Sequence, residues 1–154
     1  MKFQTKNWDI IQTILRWFIA LVFIYAGVGK ILDPASFAED IDNYRILPYI
    51  LVTVMAAILP WLEALCGILL IIKKLQRGAA FTILILCFVF FIAISSAVIR
   101  GLDITCGCFA GTDEGAKIGY IRLVEEFIFF VIAFFVYIKL ENFSNFKLTA
   151  LSNL

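Results

Sequence analysis

GAAFTILILCFVFFIAISSAVI, residues 78–99, runs for 22 residues without one charged side chain. A hydrocarbon core about 30 Å thick takes roughly 20 apolar residues as an α-helix. In lipid, only a helix or a closed barrel satisfies its own backbone hydrogen bonds. This stretch therefore predicts a membrane-spanning helix, and the rest of the chain follows from it. Three further apolar segments fit the same template. Residues 10–29 carry Arg16 near their start, and residues 46–72 hold the single charge Glu63, just after Pro60-Trp61. Residues 118–138 open with Arg122, Glu125 and Glu126, then run free of charge from Phe127 to Ile138. The expected fold is an all-α integral membrane protein: one four-helix bundle over residues 1–154.

Composition points the same way. Of 154 residues, 63% are hydrophobic and 16% charged, against about 45–50% and about 25% in soluble domains. A net charge of +1 with no basic patch argues against nucleic acid as a partner. The chain has no histidine, which removes imidazole metal ligands, histidine-ligated haem and histidine acid–base catalysis. Tetrahedral zinc needs four cysteine or histidine ligands. Two of the four cysteines, Cys66 and Cys87, lie inside apolar segments, so no metal site is expected.

Orientation follows from lysine and arginine. Lys2, Lys6, Lys73, Lys74, Arg77, Lys139 and Lys147 fall on one side of the predicted bundle; Lys30, Arg45, Arg100, Lys117 and Arg122 fall on the other. By the positive-inside rule both termini are cytoplasmic, and the chain is a multi-pass protein of a bacterial inner membrane. The first segment reads as a retained helix, because no small-x-small cleavage site precedes a soluble domain. In the first outer loop, Asp33-Pro34 is a helix start, aspartate as N-cap and proline at the first helical position. Phe37, Ile41 and Tyr44 then recur at helical spacing opposite Glu39, Asp40 and Asp42. That pattern predicts a short amphipathic helix lying on the membrane or against the bundle.

The second outer loop, from Arg100 to about Lys117, holds Cys106-Gly107-Cys108 among several glycines, an irregular backbone. A Cys-x-Cys disulfide closes a very small ring. The favoured Cα separation of about 5.5–6 Å bends the intervening backbone tightly, which glycine tolerates. Strained, exposed disulfides are the exchange-prone ones, and a one-residue loop gains little as a structural staple. On the oxidising side of the membrane, Cys106 and Cys108 read as a redox-active dithiol, a candidate thiol-disulfide oxidoreductase site.

The charges within the spans are the remaining candidates. Glu63 sits mid-span, where ionisable groups are costly and functional by default. Arg16 is the expected partner, an ion pair joining the first two spans. Lys30 is expected to snorkel from the outer end of the first span. Arg122, Glu125 and Glu126 can pair along one helix face as a solvated interface, or with Lys117 lower the thiol pKa values. Cys66 and Cys87 read as small hydrophobes.

Together the residues resemble the MauE family of methylamine-utilisation membrane proteins, within the broader DoxX-like four-helix group. The resemblance covers about residues 10–140. It rests on Gly27-Val28-Gly29-Lys30, Asp33-Pro34, Asn43-Tyr44, Leu47-Pro48, Leu59-Pro60-Trp61-Leu62-Glu63, Gly67 and Cys106-Gly107-Cys108-Phe109. Ala110, which intervenes before Gly111, departs from the glycine expected straight after the phenylalanine. The resemblance implies a redox-associated membrane role in maturing disulfide-rich periplasmic amine dehydrogenases, with thioredoxin-like partners. The expected function is therefore exchange of disulfides or electrons with periplasmic thiol proteins. A membrane quinone as terminal acceptor would explain why such a dithiol is membrane-anchored, although no quinone motif is visible. The competing readings are a non-catalytic assembly factor that docks a periplasmic enzyme, and a small transporter using Glu63.

Overall fold

Charge-free sequence becomes one unbroken helix in the computed structural model, which describes residues 2–102 and 120–152, with side chains at Trp8, 10–102 and 121–141. Helix α4 spans Gln76–Ile99. It stops at Gly101, whose φ of 65° is the left-handed conformation that glycine adopts at no steric cost. Gly101 N–H donates to Val98 C=O at 3.1 Å and Leu102 N–H to Ala97 C=O at 3.0 Å, the paired bonds of a Schellman motif. Helix α1 covers Lys2–Leu32, α2 Pro34–Asn43, α3 Tyr49–Ile71 and α5 Tyr120–Ser152. Among the described residues there is no strand.

Three helices are long and apolar enough to cross a membrane: Ile10–Leu32, Tyr49–Ile71 and Gln76–Ile99. These are the expected spans at 10–29, 46–72 and 78–99 with shifted ends. The second begins three residues later because Pro48 stands as the N-cap of α3. Helix α5 covers most of the expected 118–138 segment, but its charge-free run Phe127–Ile138 is 12 residues, short of the roughly 20 a span needs. The amphipathic helix is present as α2. The Asp33 carboxylate accepts the Ser36 N–H at 3.1 Å, Pro34 occupies the first turn, and Phe37 is buried.

Helices α1 and α3 approach most closely at two glycines. A Cβ on Gly27 would stand 2.7 Å from both the Pro60 oxygen and the Ala64 nitrogen; one on Gly67 would stand 2.8 Å from the Ala20 oxygen. Small residues permit this backbone proximity in membrane bundles, and they fix the register of the two antiparallel helices. Helices α4 and α5 meet differently, through aromatic pairs: Phe81 with Tyr137, Phe88 with Phe130 and Phe91 with Phe127 at centroid distances of 5.6, 6.1 and 6.0 Å. The core between the pairs is built from Ile19, Phe23, Leu70, Ile83, Cys87 and Val136. At one end of the bundle Lys139 lies over Trp8 at 5.5 Å; at the other, α2 closes over α3.

Candidate functional site

The α1–α3 register decides which charges meet. Lys30 lies three residues beyond Gly27, and Glu63 three beyond Pro60, so both stand on the tightly packed faces. Lys30 Nζ donates to both carboxylate oxygens of Glu63 at 2.8 Å, with side-chain exposures of 3% and 1%. The ammonium also sits over the rings of Phe37, 4.9 Å to the centroid, and Phe90, at 5.1 Å. Removing two charges from water costs several kcal/mol per ion, offset only when geometry is good and the remaining donors are occupied. The bidentate carboxylate and two aromatic faces supply those contacts.

This arrangement corrects two expectations. Glu63 pairs with Lys30, not Arg16, and Lys30 is buried instead of snorkelling. Arg16 is 14 residues, about 21 Å along an α-helix, from Lys30, which brings it to the start of α4. There it donates to the side chain of Gln76, and its Nε has no hydrogen-bond partner among the described residues.

The ion pair lines a cavity of about 310 Å³ to which all five helices contribute. Its lining is apolar apart from a few polar groups: Lys30, Glu63, Asp40 and Tyr44 of the α2 end, and Glu126 of α5, beside the Cys87 thiol. Glu126 is 8% exposed and interacts electrostatically with Lys30 and Glu63. Burial, then the charges of Asp40 and Glu126, push the Tyr44 phenol well above its ordinary range. The Tyr44 carbonyl accepts from Arg100 at 2.8 Å, which fastens the end of α4 to the end of α2 at the cavity rim.

The structure separates the two adjacent glutamates. Glu125 is exposed and pairs with Arg122 at 3.0 Å, the solvated face expected of it. Glu126 turns inward, on the face that carries buried Ala133, Val136 and Leu140. Neighbours on a helix are about 100° apart, so the two cannot share one face; that spacing is the signal that would have found Glu126. Asp40, expected on the polar side of α2, also lines the cavity. Cys66 and Cys87 are free and buried. Cys106, Cys108, Ala110 and Lys117 lie outside the described residues. No group of residues able to hold a metal ion occurs among the described residues.

Comparison with known proteins gives a consistent set of relatives. The family model described as "Methylamine utilisation protein MauE" matches residues 8–139. A methylamine utilization protein MauE of Methylophilus methylotrophus is 35% identical over 109 residues, 70% of this chain and 57% of the relative. That of Paracoccus denitrificans is 36% identical over 96 residues, 62% and 52%, and that of Methylorubrum extorquens 34% over 101 residues, 65% and 54%. The chain thus spans about half the length of the curated relatives it matches. No solved structure matches.

Proposed function

The chain belongs to the MauE family, and from that premise we propose that it is a membrane thiol-disulfide exchange protein of methylamine utilisation, acting through Cys106 and Cys108. In this reading α5 is the fourth span and one domain covers the chain. Both termini are cytoplasmic, in a bacterial inner membrane, and the cysteine segment faces the periplasm. Setting buried Lys30 aside strengthens the charge bias for that orientation to seven against four.

The observation that carries the reading is how the cysteine-bearing segment is anchored. It leaves α4 at the Gly101–Leu102 Schellman turn, beside the Arg100 link to Tyr44, and returns at Tyr120, where α5 starts. The antiparallel aromatic pairing of α4 and α5 puts both anchor points at the cavity end of the bundle. Cys106 and Cys108 follow Leu102 by four and six residues, at most about 14–22 Å of chain, and in this reading thioredoxin-like or disulfide-containing periplasmic proteins meet them there. One thiolate of the pair attacks a partner disulfide, or a partner thiolate attacks the Cys106–Cys108 disulfide. A mixed disulfide forms and the second thiol resolves it, so that one disulfide is made as another is broken.

Alkylation trapping in cells tests this. Cys106 and Cys108 are expected to shift between reduced and oxidised forms, and single-cysteine variants to accumulate a mixed disulfide with a periplasmic protein. Full maturation activity in a Cys106→Ser/Cys108→Ser variant would establish the assembly-factor reading instead. Labelling of the pair by impermeant thiol reagents only from the cytoplasm would reverse the orientation. The transporter reading loses support because Glu63 is held by Lys30 through both carboxylate oxygens.

A further inference from the structure

We propose that the cavity lined by all five helices is a binding site for the headgroup of a membrane quinone, with Glu126 as its hydrogen-bonding partner. Four observations carry the assignment. The volume, about 310 Å³, falls at the low end of small-molecule sites, about 300–1,000 Å³, and suits one substituted ring. The walls are apolar and partly aromatic, with Phe37, Phe90 and Phe129 among them, as a flat, lipid-soluble ring requires. The polar groups of the lining are few: the Lys30–Glu63 pair, Asp40, Tyr44 and Glu126.

Glu126 supplies the fourth and most specific observation. Lys30 and Glu63 neutralise each other, which leaves the Glu126 carboxyl, 8% exposed, as the acidic group that α5 presents to the cavity. A ligand that enters the cavity can therefore give this carboxyl a hydrogen-bonding partner away from bulk water, where such a bond counts for more. A quinol hydroxyl donates to a carboxylate; a carboxylic acid donates to a quinone carbonyl. One side chain therefore serves both oxidation states of the same ring. An alkylammonium ligand would also meet Glu126, and competition by decylammonium is therefore the opposing outcome in the test below.

The role of the bound quinone rests on the thiol-exchange reading. A partner dithiol is oxidised to a disulfide as the Cys106–Cys108 disulfide is reduced by exchange. The Cys106/Cys108 dithiol then returns to the disulfide, giving two electrons and two protons. The quinone takes both and leaves as quinol. Glu126 and Tyr44, both at the cavity wall, hold the positions from which a proton can be passed to the ring oxygens.

The test uses the full chain in lipid nanodiscs, a short-tailed azido-benzoquinone as photolabel and decylubiquinone as competitor. Saturable labelling is expected on residues that line the cavity, such as Phe37, Leu59, Phe90 and Phe129. Decylubiquinone should compete, and decylammonium should not. Glu126→Gln should weaken binding about tenfold, the effect of one charge-assisted hydrogen bond, while Glu125→Gln leaves it unchanged. Ala93→Leu, which fills the cavity from α4, should also lower affinity, and it keeps the test open if Glu126→Gln does not fold. Labelling confined to outward-facing residues such as Trp61 and Leu65, equal affinities for the two glutamine variants, or competition by decylammonium would each overturn the proposal. Cys106→Ser/Cys108→Ser should bind the quinone normally. Binding without trapped thiol intermediates would refute the exchange reading alone, and trapped intermediates without binding would refute the quinone site alone.

Discussion

Replacing Lys30 with methionine keeps an unbranched side chain, one atom shorter, and removes its charge and donors. Glu63, 1% exposed, then loses both hydrogen bonds, each at 2.8 Å. Breaking one side of a buried pair costs about 3–5 kcal/mol, and the loss of two cation–π contacts adds about 0.5–1 kcal/mol each. A fall of at least about 3 kcal/mol is expected. Glu63→Leu should cost a similar amount, because it strands the ammonium. Lys30→Met/Glu63→Leu should recover most of the loss, since a well-packed apolar pair in place of an ion pair is often neutral or better. The cycle is read by denaturant titration of tryptophan fluorescence in mild detergent. Arg16→Ala, which removes the bond to Gln76, should lower stability by about 1–2 kcal/mol and add independently to Glu63→Leu. A double Lys30/Glu63 variant as unstable as the sum of its singles would refute the pairing, as would a silent Lys30→Met.

Three further outcomes follow from local geometry. Gly27→Ala and Gly67→Ala each press a methyl into opposing backbone and should destabilise the bundle by about 1–3 kcal/mol in the same titration; Gly78→Ala, with open space around it, should be neutral or slightly stabilising. Asp33→Ala removes the N-cap of α2 and should cost about 1 kcal/mol, seen as faster amide exchange confined to Pro34–Asn43. The raised pKa of Tyr44 means that the folded chain keeps the phenol proton longer than the unfolded chain does. Its contribution is complete below about pH 10 and is lost above it, so stability should fall more steeply above pH 10 in the parent than in Tyr44→Phe.

Much of the backbone was legible in the sequence because a hydrophobic run of 20 residues in water has few alternatives to a helix in lipid. Residues 78–99 and the Asp33-Pro34 start identify α4 and α2 almost to the residue. The partner of Glu63 was not legible from depth alone. Arg16 and Lys30 lie toward opposite ends of the apolar part of one helix, Ile10–Leu32, and choosing between them requires the register of α1 on α3. That register is set where Gly27 meets Pro60 and Ala64, and where Gly67 meets Ala20. Glycine spacing holds this information, since Lys30 continues the Gly27 face and Glu63 lies between Pro60 and Gly67 on the other. The cavity was beyond reach for another reason. It is a shape made by five helices at once, and on α5 only the inward-facing Glu126 left a trace in the pattern.

The two halves of the bundle also differ in how they can yield. On the α1–α3 side, backbone rests on backbone and a charge pair spans the joint, so the contact has one arrangement and resists sliding. On the α4–α5 side, rings meet at tilts of 41–49° with about 6 Å between centroids, and many neighbouring arrangements have nearly the same energy. The cavity lies along the seam between a rigid wall and a compliant one. Whatever enters it is held in place by α1 and α3, while its bulk is accommodated by α4 and α5. Differences among relatives in the size of what they hold should therefore be written into the phenylalanines of the compliant pair, and the glycines of the rigid pair should vary least.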